Sequence, residues 1–172
     1  MELRFIIPDL RRLDLAGTEV LAACVASDDR PPRGIPGLVD WRLSGRLAKL
    51  CLQQQVTGNV GEVVLLPGKP KLPFDKVLLF GIGEQAAFNE QTFRAVTGLM
   101  LETMAGLKVR NAVVELPGRA TDLIAPERSA DILLESARGL VEHDIWTLIE
   151  PTEAQRVISQ RMVQERRRVR QL

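Results

Sequence analysis

Hydrophobic positions along this chain come in two rhythms that alternate: short dense runs, and longer stretches in which apolar residues recur every three or four positions. The most informative dense run is Val77-Leu78-Leu79-Phe80, followed by Gly81-Ile82-Gly83. Consecutive apolar residues of this kind predict a strand buried on both faces, as in the interior of an α/β sheet. Gly81 and Gly83 then allow the backbone to turn where a side chain would clash. Asn89 is placed to cap a long amphipathic helix, in which Phe93, Val96, Met100, Leu101 and Met104 fall at helical spacing and must lie on the sheet. A strand, a glycine turn and a covering helix form the core of a β-α-β unit.

The same two rhythms organise the rest. Strands are predicted at 3–7, stopped by Pro8, and at 18–26, carrying Val20, Leu21, Cys24 and Val25. Others are predicted at 63–66, closed by Pro67-Gly68, at 112–116, stopped by Pro117-Gly118, and at 145–149. Residues 28–37 hold Pro31, Pro32, Pro36, Gly34 and Gly37 and read as a loop. A helix follows over 38–53 on Val39, Leu43, Leu47, Leu50 and Cys51, weakened in the middle by Gly45. Gly106 is suited to end the long helix. The clearest helical pattern runs over 126–141, with Ala130, Leu133, Leu134, Ala137, Leu140 and Val141 on one face. Pro151 can open a final helix. Strands and helices in this alternation argue for an α/β fold, a mixed or mostly parallel sheet covered on both faces. The expected organisation is one α/β domain over 1–150 and a C-terminal basic helix over 151–172.

Composition narrows the class. The 172 residues are 45% apolar and 26% charged with a net charge of +1, which fits a soluble globular chain without electrostatic pull toward nucleic acid or acidic membranes. No apolar run is long enough to cross a bilayer. Met1-Glu2 opens no basic-then-apolar leader, so the expected compartment is the cytoplasm. Cys24 and Cys51 are expected to be inert thiols there.

Catalytic candidates are few. His143 is the single histidine, which excludes a histidine-rich metal site, and a helix-end position gives it a capping or exposed role. Asp28, Asp29, Asp75 and Glu84 lie near strand ends or in loops. A two-metal hydrolase needs carboxylates converging on a small volume, and their spacing indicates solvated loop charges instead. Gly81-Ile82-Gly83 after a strand invites a phosphate-loop reading, with Gly81, Gly83 and Asn89 as the ligand-binding candidates. The third glycine of a dinucleotide fingerprint is replaced by Ala86 and Ala87, and no Walker sequence occurs, so a tight strand-to-helix connection is the stronger reading. Near the C-terminus, Arg156, Arg161, Arg166, Arg167, Arg168 and Arg170 are opposed by only Glu153 and Glu165. A solvated helix end explains them. An acidic partner or nucleic acid held by Arg161, Arg166, Arg167, Arg168 and Arg170 is the sharper alternative, disfavoured by the lack of interleaved aromatics.

Between residues 38 and 107 the order of pieces carries a family resemblance. A helix is followed by Val56-Thr57-Gly58-Asn59-Val60-Gly61-Glu62, a strand at 63–66, Leu72-Pro73-Phe74-Asp75-Lys76, and the strand ending Phe80-Gly81-Ile82-Gly83. This run resembles the N-terminal domain of the leucine (cytosol) aminopeptidase family. The resemblance implies a three-layer, macro-domain-like fold with a mixed, mostly parallel sheet between helices. It also implies that peptide cleavage belongs to a larger C-terminal domain, with its metals held in an Asp-Ser-Gly-Gly setting and an Asn-Thr-Asp-Ala-Glu-Gly-Arg loop. Neither motif occurs in these 172 residues, so no catalytic or metal-binding residue carries over and no cofactor is expected. The implied function is a non-catalytic module, a stand-alone N-terminal-type domain or one excised from a longer metallo-aminopeptidase, used for assembly or regulation in a homo-oligomer or beside a separate catalytic aminopeptidase subunit, away from membranes. The alternatives are macro-type binding of a nucleotide such as ADP-ribose near Gly81 and Gly83, or nucleic-acid binding through the arginine-rich helix.

Overall fold

The computed structural model describes residues 1–138 and 145–169, with side chains as far as residue 164. Its six strands are β1 (Glu2–Ile6), β2 (Val20–Ala26), β3 (Val63–Pro67), β4 (Lys76–Gly83), β5 (Asn111–Val114) and β6 (Ile145–Ile149). They form one sheet in the order β1-β6-β5-β2-β4-β3. Every neighbouring pair is parallel except β3 against β4. The helices are α1 (Leu10–Leu15), α2 (Gly34–Arg42), α3 (Arg46–Leu52), α4 (Glu90–Gly106), α5 (Pro126–Ser136) and α6 (Thr152–Val169).

Successive strand residues point to opposite faces, and the interior strands are apolar on both. Val20 and Ala22 of β2, Leu78 and Phe80 of β4, and Trp146 of β6 pack with Phe93, Met100 and Met104 of α4 and Leu133 of α5. Their neighbours Leu21 and Ala23, Val77 and Leu79, and Val113 of β5 pack on the other face with Leu13 of α1, Val39 of α2 and Leu47 of α3. Burying side chains of this size contributes roughly 1.5–3 kcal/mol each, which is why the dense runs hold the centre of the sheet.

The observed elements follow the predicted ones with five differences, two of them early ends of a strand and a helix: β5 stops at Val114, leaving Glu115 and Leu116 beyond the strand, and α5 stops at Ser136 with Ala137 as its cap. The single helix expected over 38–53 is two, α2 and α3, because Ser44 and Gly45 both take left-handed backbone (φ 58° and 80°). Asp40 of α2 then caps α3, its Oδ1 accepting from the amides of Leu47 at 2.7 Å and Ala48 at 3.1 Å. The loop expected over 28–37 ends early, since α2 starts at Gly34 with Pro36 in its first turn, where a missing N–H removes no helical bond. Helix α1 was not expected; Asp9 starts it by accepting from the amides of Arg11 and Arg12. Asn89 caps α4 as predicted, accepting from the Thr92 amide at 3.0 Å. Leu140 and Val141 of the predicted 126–141 helix lie outside the described residues, as does His143. Ala154 and Ile158 of α6 are buried. No described helix is long and apolar enough to cross a membrane.

Candidate functional site

The sheet topology itself creates a crevice. After β2 the chain passes to α2 on one face of the sheet, whereas after β4 and β5 it passes to α4 and α5 on the other. Neighbouring strands whose connections diverge leave a cleft outside their carboxyl ends, the usual binding position in open α/β sheets. A cavity of 140 Å³ opens here, walled by Ala26, Arg33 and Pro36 on the β2–α2 side, Ile82 at the end of β4, and Glu115 and Leu116 after β5.

Glu115 is the chemically distinctive member. It is only 3% exposed. Its Oε2 accepts from the backbone amide of Cys24 at 2.9 Å, while its own amide donates to the Ala22 carbonyl at 2.9 Å. Desolvation pushes its carboxyl up to about 7, with the Glu150 charge adding to the rise and the Cys24 and Ile35 amides opposing it. The Cys24 thiol lies against the Glu115 carbonyl, 3.5 Å away, and is held well above the usual thiol range by desolvation and then by the Glu115 charge. At the rim, Asp29 accepts from the Arg33 amide at 3.0 Å and pairs with the Arg33 guanidinium at 3.0 Å. Across it, the Asp28 carboxylate accepts from the Gln85 amide at 3.2 Å.

A buried ion pair fixes the wall that follows β5. Arg119 and Glu150 are 5% and 1% exposed. Arg119 Nε and Nη2 donate to Glu150 Oε1 and Oε2 at 2.8 and 2.9 Å, a two-pronged contact that sets orientation as well as distance. Its Nη1 also donates to Asp122 Oδ1 at 2.9 Å and to the Ile124 carbonyl at 2.6 Å. The segment between β5 and α5 is thereby held against the end of β6. Desolvation raises the Glu150 carboxyl, and the Arg119 guanidinium opposes that rise.

The residues proposed from the sequence have the following surroundings. Gly81 lies in β4 under the 57–62 turn: a Cβ there would collide with the Asn59 carbonyl oxygen and come within 2.7 Å of the Gly58 carbonyl carbon. Its amide donates to the Glu62 carbonyl at 3.0 Å, and the Gly83 amide donates to the Gly58 carbonyl at 2.8 Å. Glu62 closes that turn, its carboxylate accepting from the amides of Thr57 and Gly58 at 3.0 and 2.7 Å. Both glycines therefore seat a backbone turn on β4, and Ile82 between them and Gln85 beyond reach the crevice. Asn89 is engaged as the α4 cap. Arg161 of α6 makes a two-pronged pair with Asp131 of α5 at 3.1 and 3.0 Å. The side chains of Arg166, Arg167 and Arg168, and Arg170 entirely, lie outside the described residues. Cys51 is buried in the core. Among the described residues no group of three or more His, Cys, Asp or Glu could hold a metal ion.

Sequence reasoning passed over Glu115, Arg119 and Glu150. The one available signal was a carboxylate inside the apolar run Ala112-Val113-Val114-Glu115-Leu116, where an unpartnered charge would not survive burial.

Comparison with known proteins gives matches of two kinds. Residues 25–139 match the family described as the cytosol aminopeptidase family, N-terminal domain. A probable cytosol aminopeptidase of Pseudomonas paraeruginosa is 29% identical over 107 residues, covering 62% of this chain and 22% of that protein. One from Synechocystis is 32% identical over 97 residues, covering 56% of this chain and 19% of that protein. The chain thus spans about a fifth of the length of the curated relatives it matches. Among solved structures, a tomato leucine aminopeptidase mutant aligns over 94% of this chain and 35% of its own, with a TM-score of 0.66 at 13% identity. The Trypanosoma brucei macrodomain in complex with ADP aligns over 93% of this chain and 67% of its own, with a TM-score of 0.71 at 14% identity. The Oceanobacillus iheyensis macrodomain with ADP aligns over 90% and 89%, with a TM-score of 0.70 at 15% identity. The fold is macro-domain-like.

Proposed function

This chain belongs to the cytosol aminopeptidase family through its N-terminal domain, and from that premise we propose that it works as an assembly or regulatory module and does not itself cut peptides. The observation that supports this is how its carboxylates are spent. Glu62, Asp40, Asp9 and Asp29 serve as caps for the chain's own backbone amides. Glu150, Glu90 and Asp131 are held by arginines. A hydrolytic metal pair requires several carboxylates converging on the ions, and these are already committed elsewhere. Incubation of the purified protein with leucyl-p-nitroanilide and manganese or zinc is expected to give no turnover. Metal-dependent cleavage that survives stringent purification would overturn the proposal. The module acts in the cytoplasm, in a homo-oligomer or with a separately encoded catalytic subunit. Light scattering, alone and with a family catalytic subunit, tests that part: a monomer in both mixtures sinks it.

A second reading is favoured by the crevice: macro-type binding of a nucleotide such as ADP-ribose. It is supported by the cavity's position at the diverging strand ends and by solved relatives of this fold carrying ADP. On the β4–α4 side Ile82 and Gln85 would meet such a ligand, and Gly81, Gly83 and Asn89 would act only by shaping the backbone around them, their own polar groups being bound to the 57–62 turn and the α4 amides. Calorimetry with ADP-ribose is expected to give heat at millimolar ligand, and none at that concentration removes the reading.

A further inference from the structure

We propose that the Glu115 carboxyl occupies the phosphate seat of the crevice, so that a phosphate-bearing ligand binds only in competition with it. The inference rests on the nucleotide reading of the same crevice and adds what regulates entry.

Two backbone amides from separate elements act on one carboxyl supplied by a third. The Cys24 amide of β2 donates to Glu115 Oε2 at 2.9 Å. The Ile35 amide, in the first turn of α2, also favours the ionised carboxyl. Amides at a helix start are donors that a phosphate oxygen would take, and the Cys24 amide, inside β2, is turned toward the same carboxyl. Here the chain's own carboxyl takes the Cys24 amide and lies beside the start of α2. Gly34, with left-handed backbone (φ 60°), lies beside the carboxyl: a Cβ there would stand in ordinary contact, 3.8 Å from Glu115 Oε1. With Glu115 seated, the remaining cavity is 140 Å³, below the roughly 300 Å³ at which small-molecule sites begin.

Charge works in the same direction. Facing Glu115 are the Cys24 thiol on β2, Glu150 beyond β6, and Asp29 with Arg33 on the segment before α2. Arg33 is paired to Asp29, and Arg119 is paired to Glu150 and Asp122. The guanidiniums of these walls are therefore already balanced by carboxylates, and above about pH 7, where Glu115 is ionised, a diphosphate entering beside it would meet a like charge.

The test is calorimetric titration of ADP into the wild type, Glu115→Ala and Glu115→Gln at pH 8, with each protein's fold checked by circular dichroism. Wild type is expected to bind in the millimolar range. Glu115→Ala, which frees the Cys24 amide, should bind about tenfold tighter or more, since one recovered charge-assisted hydrogen bond is enough for that factor. Glu115→Gln removes the charge and keeps the bulk, so it should gain less. Should Glu115→Ala fail to fold, any tightening in Glu115→Gln supports the proposal and none overturns it. ADP binding that neither substitution improves overturns the proposal while leaving the nucleotide reading standing. Three folded proteins that all ignore ADP sink both together.

Discussion

The buried carboxyl of Glu115 should leave a measurable signature in how stability varies with pH. Its folded value of about 7 stands above the ordinary 4.5. The sign follows from proton counting. Between those two values the unfolded chain has released the proton that the folded chain still holds, so stability falls as pH rises through this window. Below about 4.5 both states are protonated and the group is neutral in effect, and above about 7 both are ionised and the loss is complete. The difference, 7 minus 4.5, is 2.5 units, or about 3 kcal/mol at 1.36 kcal/mol per unit. Glu115 is almost fully buried, so this figure needs no discount for exposure. Glu115→Gln cannot titrate. It retains one carbonyl to accept from Cys24 and sacrifices the second acceptor, a pH-independent penalty of about 1 kcal/mol. The gap between variant and wild type should therefore move by about 3 kcal/mol in the variant's favour between pH 4.5 and pH 8. For a chain of this size that is a relative rise in Tm of roughly 6–12 °C. Urea unfolding followed by the fluorescence of Trp146, fully buried in the core, reads it directly. Parallel stability curves for the two proteins across that range would refute the burial argument.

Further outcomes follow from the same contacts. Arg119→Ala leaves Glu150 buried without its two-pronged partner and should destabilise the fold by about 3–5 kcal/mol in urea unfolding; a loss below 1 kcal/mol would show the pair to be incidental. Gly81→Ala drives a Cβ into the 57–62 turn and should cost about 1–3 kcal/mol, and hydrogen exchange should show the Gly81 and Gly83 amides losing protection together. Truncation before Arg166 tests the nucleic-acid reading of Arg161, Arg166, Arg167, Arg168 and Arg170: that reading predicts a gel shift at low salt that truncation abolishes, and equal shifts from both chains count against the tail.

Much of the architecture was legible because it is decided locally. A strand covered on both sides must be apolar at every position, so Val77 to Phe80 announced an interior strand without any knowledge of its neighbours. Asn89 caps α4 and Pro126 opens α5 through bonds and angles spanning a single turn, and such signals survive in a linear reading. The break at Ser44 and Gly45 was only half legible: glycine marked a weak point, but its effect depended on Asp40 reaching forward to cap the next helix.

The crevice belongs to the other class. Cys24 and Glu115 are 91 residues apart, and they meet because β5 and β4 lie on either side of β2. Nothing in the alternation of apolar and polar residues specifies that order, since each strand would show the same pattern in any interior position. Along the chain Glu115 is one carboxylate among many. Strand order takes it out of water, gives it the Cys24 amide and raises its affinity for a proton, because desolvation is a property of what surrounds a group in space.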